Sequence, residues 1–274
     1  NPTANAYIYS SYDFMYGNGG GSSLIDIDAH TYIHEFGHAM GLNDYYNYDK
    51  TSKVAPAGAF DMQDWNVGDH NPFSKMAFGW SKPYVVYDDC TISITSSALN
   101  KNQYIMIPAG GYNNWNKSPF DEYLVLELYT AEGVNYFDSH NNTYGDYNTG
   151  TDMSGIRLYH IDSRVYRFGS NGYITSNSCY VDSITSGYTY DVAASNTTIG
   201  ADKGYFTDVT EAQNFYQVHL LSQEGTDRTV AGKKFSSVDL FFANDEFSMS
   251  TFSSYFYNKG KMNDGSNLGF SFKV

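Results

Sequence analysis

The spacing of apolar and polar residues separates a short helical part of the chain from a longer part with strand-like alternation. From residue 29 to residue 40, apolar side chains recur at i, i+3, i+4, i+7, i+10 and i+11, which places them on one helix face. Asp28 is a suitable N-cap, and Gly41 is a suitable C-terminal glycine. The pattern predicts a helix whose apolar face consists of Ala29, Tyr32, Ile33, Phe36, Ala39 and Met40.

After Pro83 the pattern changes to alternation with a period of two. The alternating segments are residues 91–95, 104–107, 122–129, 155–161, 216–221, 238–242 and 269–274, and clusters of Asn, Gly and Asp separate them. Short strands divided by turn residues are typical of an antiparallel β-sandwich. Residues 6–9 predict one more short strand before the helix. These patterns place a domain boundary near residue 87, between parts 1–87 and 88–274.

Composition and charge narrow the classes of partner. The chain has 274 residues, 41% of them apolar, which is enough for a sizeable core. Its net charge of −14 makes nucleic acid a poor candidate partner, because an acidic surface repels phosphate. No apolar run approaches the roughly 20 residues of a membrane-spanning helix. The two cysteines, Cys90 and Cys179, do not determine by themselves whether a disulfide forms.

The predicted helix carries residues with the spacing of a metal site. His34 and His38 are four residues apart, so both imidazoles lie on one helix face and can bind one ion. Glu35 follows the first histidine, where a carboxylate can accept a proton from water at the metal. Gly41 allows the chain to turn, and Asp44 then supplies a third ligand. The spacing predicts a zinc site with Glu35 as the catalytic base.

An alternative histidine pair precedes this one. His30 lies four residues before His34 and could form a pair with it. In that pair the residue after the first histidine is Thr31 and not an acid, so the pair lacks a candidate base. We therefore favour His34 and His38 as the ligands and interpret His30 as a neighbouring or packing residue.

The sequence around these residues resembles a known family. Residues 34–46 read HEFGHAMGLNDYY and resemble the zinc helix of the immune-inhibitor-A-like metallopeptidases, secreted bacterial relatives of the metzincins. Residues 58–66, GAFDMQDWN, resemble the Met-turn of that family, and residues 68–71 and 75–83 follow in the family's order. Residues 155–162, GIRLYHID, resemble a segment of its β region. The resemblance is strong over residues 28–83 and patchy beyond.

The resemblance implies an α+β fold with a partial zincin or metzincin-like catalytic subdomain, its active-site helix and a following antiparallel β-sandwich region. It also implies a secreted peptidase whose zinc is held by His34, His38 and Asp44, with Met62 as an apolar floor. Some relatives carry an acid after the third ligand, and this chain has Tyr45 there.

The residue that stabilises the oxyanion is not determined by the sequence. In other metzincins a tyrosine two residues after the methionine has this role, and Asp64 occupies that position here. The remaining candidates are Tyr45, Tyr46 and His70, each of which can also be a packing residue.

The resemblance further implies a larger twisted sheet before the zinc helix, although only 33 residues precede His34. We therefore expect residue 1 not to be the natural start of the protein. The expected partners are a protein or peptide substrate and the chain's own N-terminal fragment or propeptide.

A second metal is suggested by the resemblance and by one segment. Residues 146–152, DYNTGTD, alternate oxygen-bearing side chains with a glycine, as part of a calcium loop does. Asp146, Asn148 and Asp152 are the candidate calcium ligands. A solvated turn explains the same composition and is the preferred interpretation.

These observations predict a secreted zinc-dependent endopeptidase that uses zinc-activated water and Glu35. The alternative function is an adhesion or glycan-binding β-sandwich protein with an inactive metal site, because aromatic-rich sandwiches also bind glycans.

Overall fold

The structure is a computed structural model. It describes residues 7–10, 29–49, 51–65, 68–99, 103–140, 150–168, 174–176, 188–192, 194–197, 215–256, 260–267 and 269–274.

The described residues form a mixed α/β structure with a mostly sheet-based core and few helices. The helices are α1 (His30–Met40), α2 (Pro72–Ala77), α3 (Tyr136–His140) and α4 (Met249–Phe252). The strands are β1 (Tyr84–Val85), β2 (Tyr104–Pro108), β3 (Glu122–Tyr129), β4 (Gly155–Asp162), β5 (Val165–Phe168), β6 (Ile174–Ser176), β7 (Thr189–Val192), β8 (Val218–Leu221), β9 (Glu246–Ser248) and β10 (Ser271–Lys273). None of the helices in the described ranges is both long and apolar enough to cross a membrane.

One five-stranded sheet organises the core. Its strand order is β1-β2-β3-β4-β8, and β1 runs parallel to β2 while the other neighbours are antiparallel. Strands β6, β5 and β7 form a three-stranded sheet, and β9 pairs with β10. The central strand β3 pairs along its whole length with β4, from Glu122 opposite Asp162 to Tyr129 opposite Gly155.

Most of the longer predicted strands are confirmed. Residues 122–129 coincide with β3, and residues 104–107, 155–161, 216–221 and 269–274 contain or overlap β2, β4, β8 and β10. Strands β1, β5, β6, β7 and β9 were not predicted. Their sequences are short or interrupted, and pairing with neighbouring strands defines them more than alternation does.

Three predicted strands are wrong where the structure describes them. Residues 7–9 form no strand, and the side chains of Tyr7 and Tyr9 are exposed. Residues 91–95 keep an alternating pattern but pair with no strand in the described part of the chain, and the Thr95 amide donates to the Gln103 side chain. Residues 238–242 begin with the end of a 3₁₀ helix that the capping box of Ser236 and Asp239 supports, and in place of a strand they make an isolated antiparallel bridge between Phe241 and Ile156 of β4.

Helix α1 forms as predicted, but a different face is buried. The predicted apolar face is largely exposed, at 43% for Ile33, 54% for Phe36 and 40% for Met40. The buried residues of α1 are instead His30, His34 and Gly37. The helix ends at Gly41 with a φ of 106°, as predicted, whereas its N-cap is Ala29 and Asp28 lies outside the described residues.

One apolar cluster contains residues from both sides of position 87. Tyr45, Phe60 and Phe73 pack in the same cluster as Tyr104 and Tyr129 of the sheet. The backbone contributes as well, because the Leu220 amide donates to the Pro56 carbonyl over 2.8 Å. The boundary near residue 87 stays a prediction, and the early segments pack directly on the sheet.

A buried ion pair lies inside this cluster. Arg157 donates from Nε and Nη2 to Glu127 Oε2 over 3.0 and 2.7 Å, and Ser97 donates to Oε1 over 2.5 Å. The guanidinium is surrounded by aromatic rings, with the Tyr129 ring centroid 5.0 Å away and Phe60 5.4 Å away. Because both charges are buried, each depends on the other for compensation.

Replacing Arg157 by Met should therefore lower the free energy of unfolding by about 3–5 kcal/mol, because Glu127 would stay buried without its partner. Replacing both residues together, with Arg157→Met and Glu127→Leu, should recover part of that loss. Urea unfolding monitored by circular dichroism measures both changes.

The matched control is Lys273→Met, which removes an exposed pair with Glu246 at 3.3 Å. It should change the free energy of unfolding by less than about 1 kcal/mol. Equal effects of the Arg157 and Lys273 variants would contradict the buried-pair interpretation.

Candidate metal centre

Helix α1 and the loop after it bring three ligand atoms together. His34 Nε2 lies 3.1 Å from His38 Nε2, and Asp44 Oδ1 lies 2.9 and 3.1 Å from those two nitrogens. His34, His38 and Asp44 are the one group of potential metal-binding side chains found in the described part of the chain. The three predicted ligands therefore converge.

The outer nitrogen of each histidine is held by a backbone carbonyl. His34 Nδ1 donates to the Met62 carbonyl over 2.9 Å, and His38 Nδ1 donates to the Leu42 carbonyl over the same distance. A carbonyl oxygen only accepts, so in the neutral imidazoles the proton is on Nδ1 and the lone pair is on Nε2. Both Nε2 atoms thus remain for Asp44 Oδ1 and for a shared proton or metal ion.

This arrangement fits a cation. Two nitrogen lone pairs and a carboxylate oxygen face one another within 3.1 Å, which is repulsive without a shared proton or a metal ion. A tetrahedral zinc ion at about 2.0–2.1 Å places its ligands about 3.3 Å apart, close to these separations. Two imidazoles and one carboxylate are also a ligand set that zinc accepts.

The pKa values of His38 and Asp44 in the metal-free site also favour a bound cation. A hydrogen bond to the Asp44 carboxylate raises the pKa of His38 to about 9, against a smaller opposing effect of burial. Burial opposes ionisation of Asp44, but its hydrogen bonds with His34, His38 and Tyr48 and the charge of the protonated His38 hold its pKa well below the usual range. The site therefore keeps a carboxylate that attracts positive charge.

Two tyrosines flank the third ligand. Tyr48 donates its hydroxyl to Asp44 Oδ2, the oxygen that does not face the histidines. The Tyr46 ring stacks on the His34 ring with centroids 6.4 Å apart, and it contacts the Tyr48 ring in a tilted arrangement with centroids 5.4 Å apart. Burial and the Asp44 carboxylate raise the pKa of Tyr46 to about 12, so its hydroxyl stays protonated at neutral pH.

The ligands open onto a cleft. It has a volume of about 390 Å³, and its lining includes Glu35, Tyr46, Tyr48 and Thr197 beside the three ligands. Glu35, which follows His34 on α1, is half-buried and lines this cleft, where a base has access to a bound water. The predicted base and the three predicted ligands thus share one accessible cavity.

The candidates for stabilising an oxyanion differ in their access to this cleft. Tyr45 is fully buried, and its hydroxyl pairs with Ser74 Oγ at 2.9 Å. His70 is buried against Trp80, and burial lowers its pKa to about 4. Of the three, only Tyr46 is among the residues that line the cleft, and its hydroxyl is hydrogen-bonded with Asp44.

The segment predicted as a Met-turn lies directly against α1. Met62 is 2% exposed, and its contact with the ligands that the structure defines is the carbonyl that orients His34. The following Gln63 is fully buried and donates from Nε2 to the His34 carbonyl over 3.1 Å. A Cβ at Gly37 would overlap the Gln63 amide, so a glycine between the two histidines allows this packing.

Two buried aspartates, Asp61 and Asp64, lie in this turn. Asp61 accepts hydrogen bonds from the Gln63 amide at 2.8 Å and from the Asn71 side chain at 2.9 Å, and burial raises its pKa to about 6. Asp64 occupies the position, two residues after Met62, at which the resemblance implies a tyrosine. It is 2% exposed, and burial together with the Asp61 charge raises its pKa to about 8.

The remaining predicted site residues have different outcomes. His30 is buried with its ring 5.4 Å from that of His34, and it does not belong to the group of three ligands. Asp152 is exposed, whereas Asp146 and Asn148 lie outside the described residues, so the calcium site stays a prediction. Cys90 is an exposed free thiol, and Cys179 also lies outside the described residues.

The loop after α1 that contains Asp44, residues 41–48, is called the third-ligand loop. The sequence did not predict the distant residues that contact this loop. Asn196 donates from Nδ2 to the Tyr45 carbonyl over 2.9 Å and to the Val218 carbonyl over 2.8 Å. The Tyr48 amide donates to the Thr197 carbonyl over 3.1 Å. No local signal identifies Asn196 or Thr197, because they lie about 150 residues after the loop that they contact.

Comparison of the chain with protein-family models, with curated proteins and with solved structures finds no match.

Replacing Gly37 by Ala should lower the free energy of unfolding by about 1–3 kcal/mol, because the new methyl group overlaps the enclosed Gln63 side chain. This loss outweighs the gain in helix propensity of about 1 kcal/mol. The added variant Gln63→Ala should relieve the overlap. Stabilisation by Gly37→Ala alone, measured by urea unfolding, would contradict the packing described.

Replacing Asp64 by Asn should stabilise the metal-free protein increasingly as the pH rises from about 4 to about 8. The folded-state pKa is about 8 and the usual value is 3.8, so the folded state binds the proton more tightly. That contribution to stability is complete below pH 3.8 and is lost as the pH rises through 8. Asn carries no proton to lose, so the stability difference should grow by up to about 1.4 kcal/mol per pH unit.

Urea unfolding at pH 5, 6, 7 and 8 measures this difference, and Asp152→Asn is the exposed control. Stability curves of the wild type and the Asp64 variant that run parallel across this range would be inconsistent with a raised pKa at Asp64.

Proposed function

We propose that the chain is a secreted zinc-dependent endopeptidase that hydrolyses protein or peptide substrates. The observation that carries the proposal is the convergence of two oriented imidazole lone pairs on Asp44 Oδ1, beside Glu35 and in an open cleft. A structural zinc site usually has four protein ligands, whereas a catalytic site has three and an open position. Three ligands at the edge of a cleft support the catalytic interpretation.

In this proposal His34, His38 and Asp44 hold the ion. When bound, zinc supplies Lewis-acid catalysis by polarising the scissile carbonyl and acidifying water. Glu35 accepts the proton of the attacking water on its carboxylate and passes it to the leaving amine nitrogen. Tyr46 lines the same cleft and is the candidate to donate a hydrogen bond to the oxygen that gains charge on the substrate carbonyl.

The proposal also includes a more specific fold than the mixed α/β structure described above. Residues 1–87 would form a metzincin-like catalytic part, with Met62 beneath the metal, and residues 88–274 a β-sandwich region. The support for this division is the sequence resemblance over residues 28–83 and the predominance of strands after β1. A calcium site around residues 146–152 and secretion belong to the same proposal and rest on the resemblance.

Replacing Glu35 by Gln should leave zinc binding intact and reduce peptide hydrolysis by at least about 100-fold, because the proton acceptor is lost while the ligands remain. Replacing His38 by Ala should remove both zinc and activity. The measurements are zinc content by mass spectrometry and cleavage of a fluorogenic peptide library with and without a chelator.

The control is Glu132→Gln, at an exposed glutamate away from the cleft, which should behave as the wild type. Full turnover by the Glu35 variant would exclude Glu35 as the base. Cleavage that a chelator does not reduce would exclude the zinc mechanism, and glycan binding without any cleavage would favour the adhesion alternative.

A further inference from the structure

The two carboxylate oxygens of Asp44 make different contacts. Oδ1 faces the Nε2 atoms of both histidines, and Oδ2 accepts the hydroxyl of Tyr48. A carboxylate that is free to rotate about its last side-chain bond can exchange the two oxygens or bind a metal through both. A donor fixed on one oxygen removes that freedom and leaves the other as the single ligand atom.

Tyr48 is itself held from two sides. Its amide donates to the Thr197 carbonyl over 3.1 Å, so its backbone is tied to the segment between β7 and β8. Its ring packs against Tyr46, whose ring stacks on His34. The hydroxyl is therefore placed by contacts that do not depend on Asp44 alone.

Exposure argues against a mainly structural role for this tyrosine. The Tyr48 side chain is 56% exposed, whereas Tyr45, three residues earlier, is fully buried in the core. A ring with that exposure contributes little to apolar burial. Its defined side-chain hydrogen bond goes to a metal ligand, so loss of the hydroxyl should be felt at the ligand more than in the fold.

We propose that Tyr48 is a positioning residue that makes Asp44 a one-oxygen ligand by occupying Oδ2. The proposal rests on the proposed function only in taking His34, His38 and Asp44 as zinc ligands. Tyr48 acts through Asp44 and makes no contact of its own with the metal. Comparable supporting residues in metal sites change metal affinity by about 10–100-fold when they are removed.

The test is zinc titration of the metal-free protein and of Tyr48→Phe, which keeps the ring and removes the hydroxyl. We expect the Kd for Zn²⁺ to rise about 10–100-fold. The thermal unfolding midpoint of the metal-free protein should fall only slightly, because Asp44 Oδ2 loses one hydrogen bond while the ring and its packing stay. The visible absorption of Co²⁺ bound in the site should also change, because the coordination of Asp44 changes. Tyr87→Phe, at a tyrosine that is 70% exposed, is the matched control and should leave the Kd unchanged.

A double-mutant cycle with Asp44→Ala tests whether the effect passes through Asp44. In that background the zinc ion has only two histidine ligands, and Tyr48→Phe should have no further effect on the Kd. An equal loss of affinity in both backgrounds would overturn the proposal, because Tyr48 would then act independently of Asp44.

The outcomes also separate this proposal from the proposed function. Tight zinc binding by the wild type together with unchanged affinity in Tyr48→Phe would overturn the role of Tyr48 and leave the peptidase proposal standing. Zinc binding that depends on Tyr48 without any peptide cleavage would overturn the peptidase proposal alone. Absence of zinc binding by the wild type would overturn both.

Discussion

The geometry of the candidate metal centre depends on one constraint: in each of the three side chains, the polar atom that points away from the centre already has a hydrogen-bond partner. His34 Nδ1 is bound to the Met62 carbonyl, His38 Nδ1 to the Leu42 carbonyl, and Asp44 Oδ2 to the Tyr48 hydroxyl. The inner atoms are left facing one another at 2.9–3.1 Å. In the metal-free site a proton on His38 joins these atoms, and a metal cation can take its place while the outer contacts stay as they are, which is what a preorganised metal site requires.

The same constraint explains why distant parts of the chain meet at this site. The Tyr45 amide donates to the Gln63 carbonyl over 2.8 Å, which ties the third-ligand loop to the turn that orients His34. Asn196 ties the Tyr45 carbonyl to β8, whose Leu220 amide in turn holds Pro56. The sheet therefore supports the loop and the turn together, and the ligands do not rely on α1 alone.

The convergence of His34, His38 and Asp44 could be predicted from sequence because they are close along the chain and two of them follow helical geometry. His34, His38 and Gly41 need only a helix and its C-terminal glycine to take their places. The contacts that orient them could not be predicted, since Met62 acts through its carbonyl, which every residue has. Asn196 acts over about 150 residues, and such contacts follow from tertiary packing and leave no local pattern.

Polar residues at inner positions account for most of the differences between the predicted and observed burial. The spacing of apolar residues correctly predicted helix α1. The buried face of this helix nevertheless contains His30, His34 and Gly37, because Gln63 packs against it. In β3 and β4, Glu127 and Arg157 lie inside the core as a bonded pair, although alternation alone would place charges outside. Burying such groups is unfavourable unless every one has a partner. The hydrogen-bond networks that supply those partners fix the sheet, the turn and the third-ligand loop in a single arrangement, and this rigidity is what a three-ligand metal site needs from its surroundings.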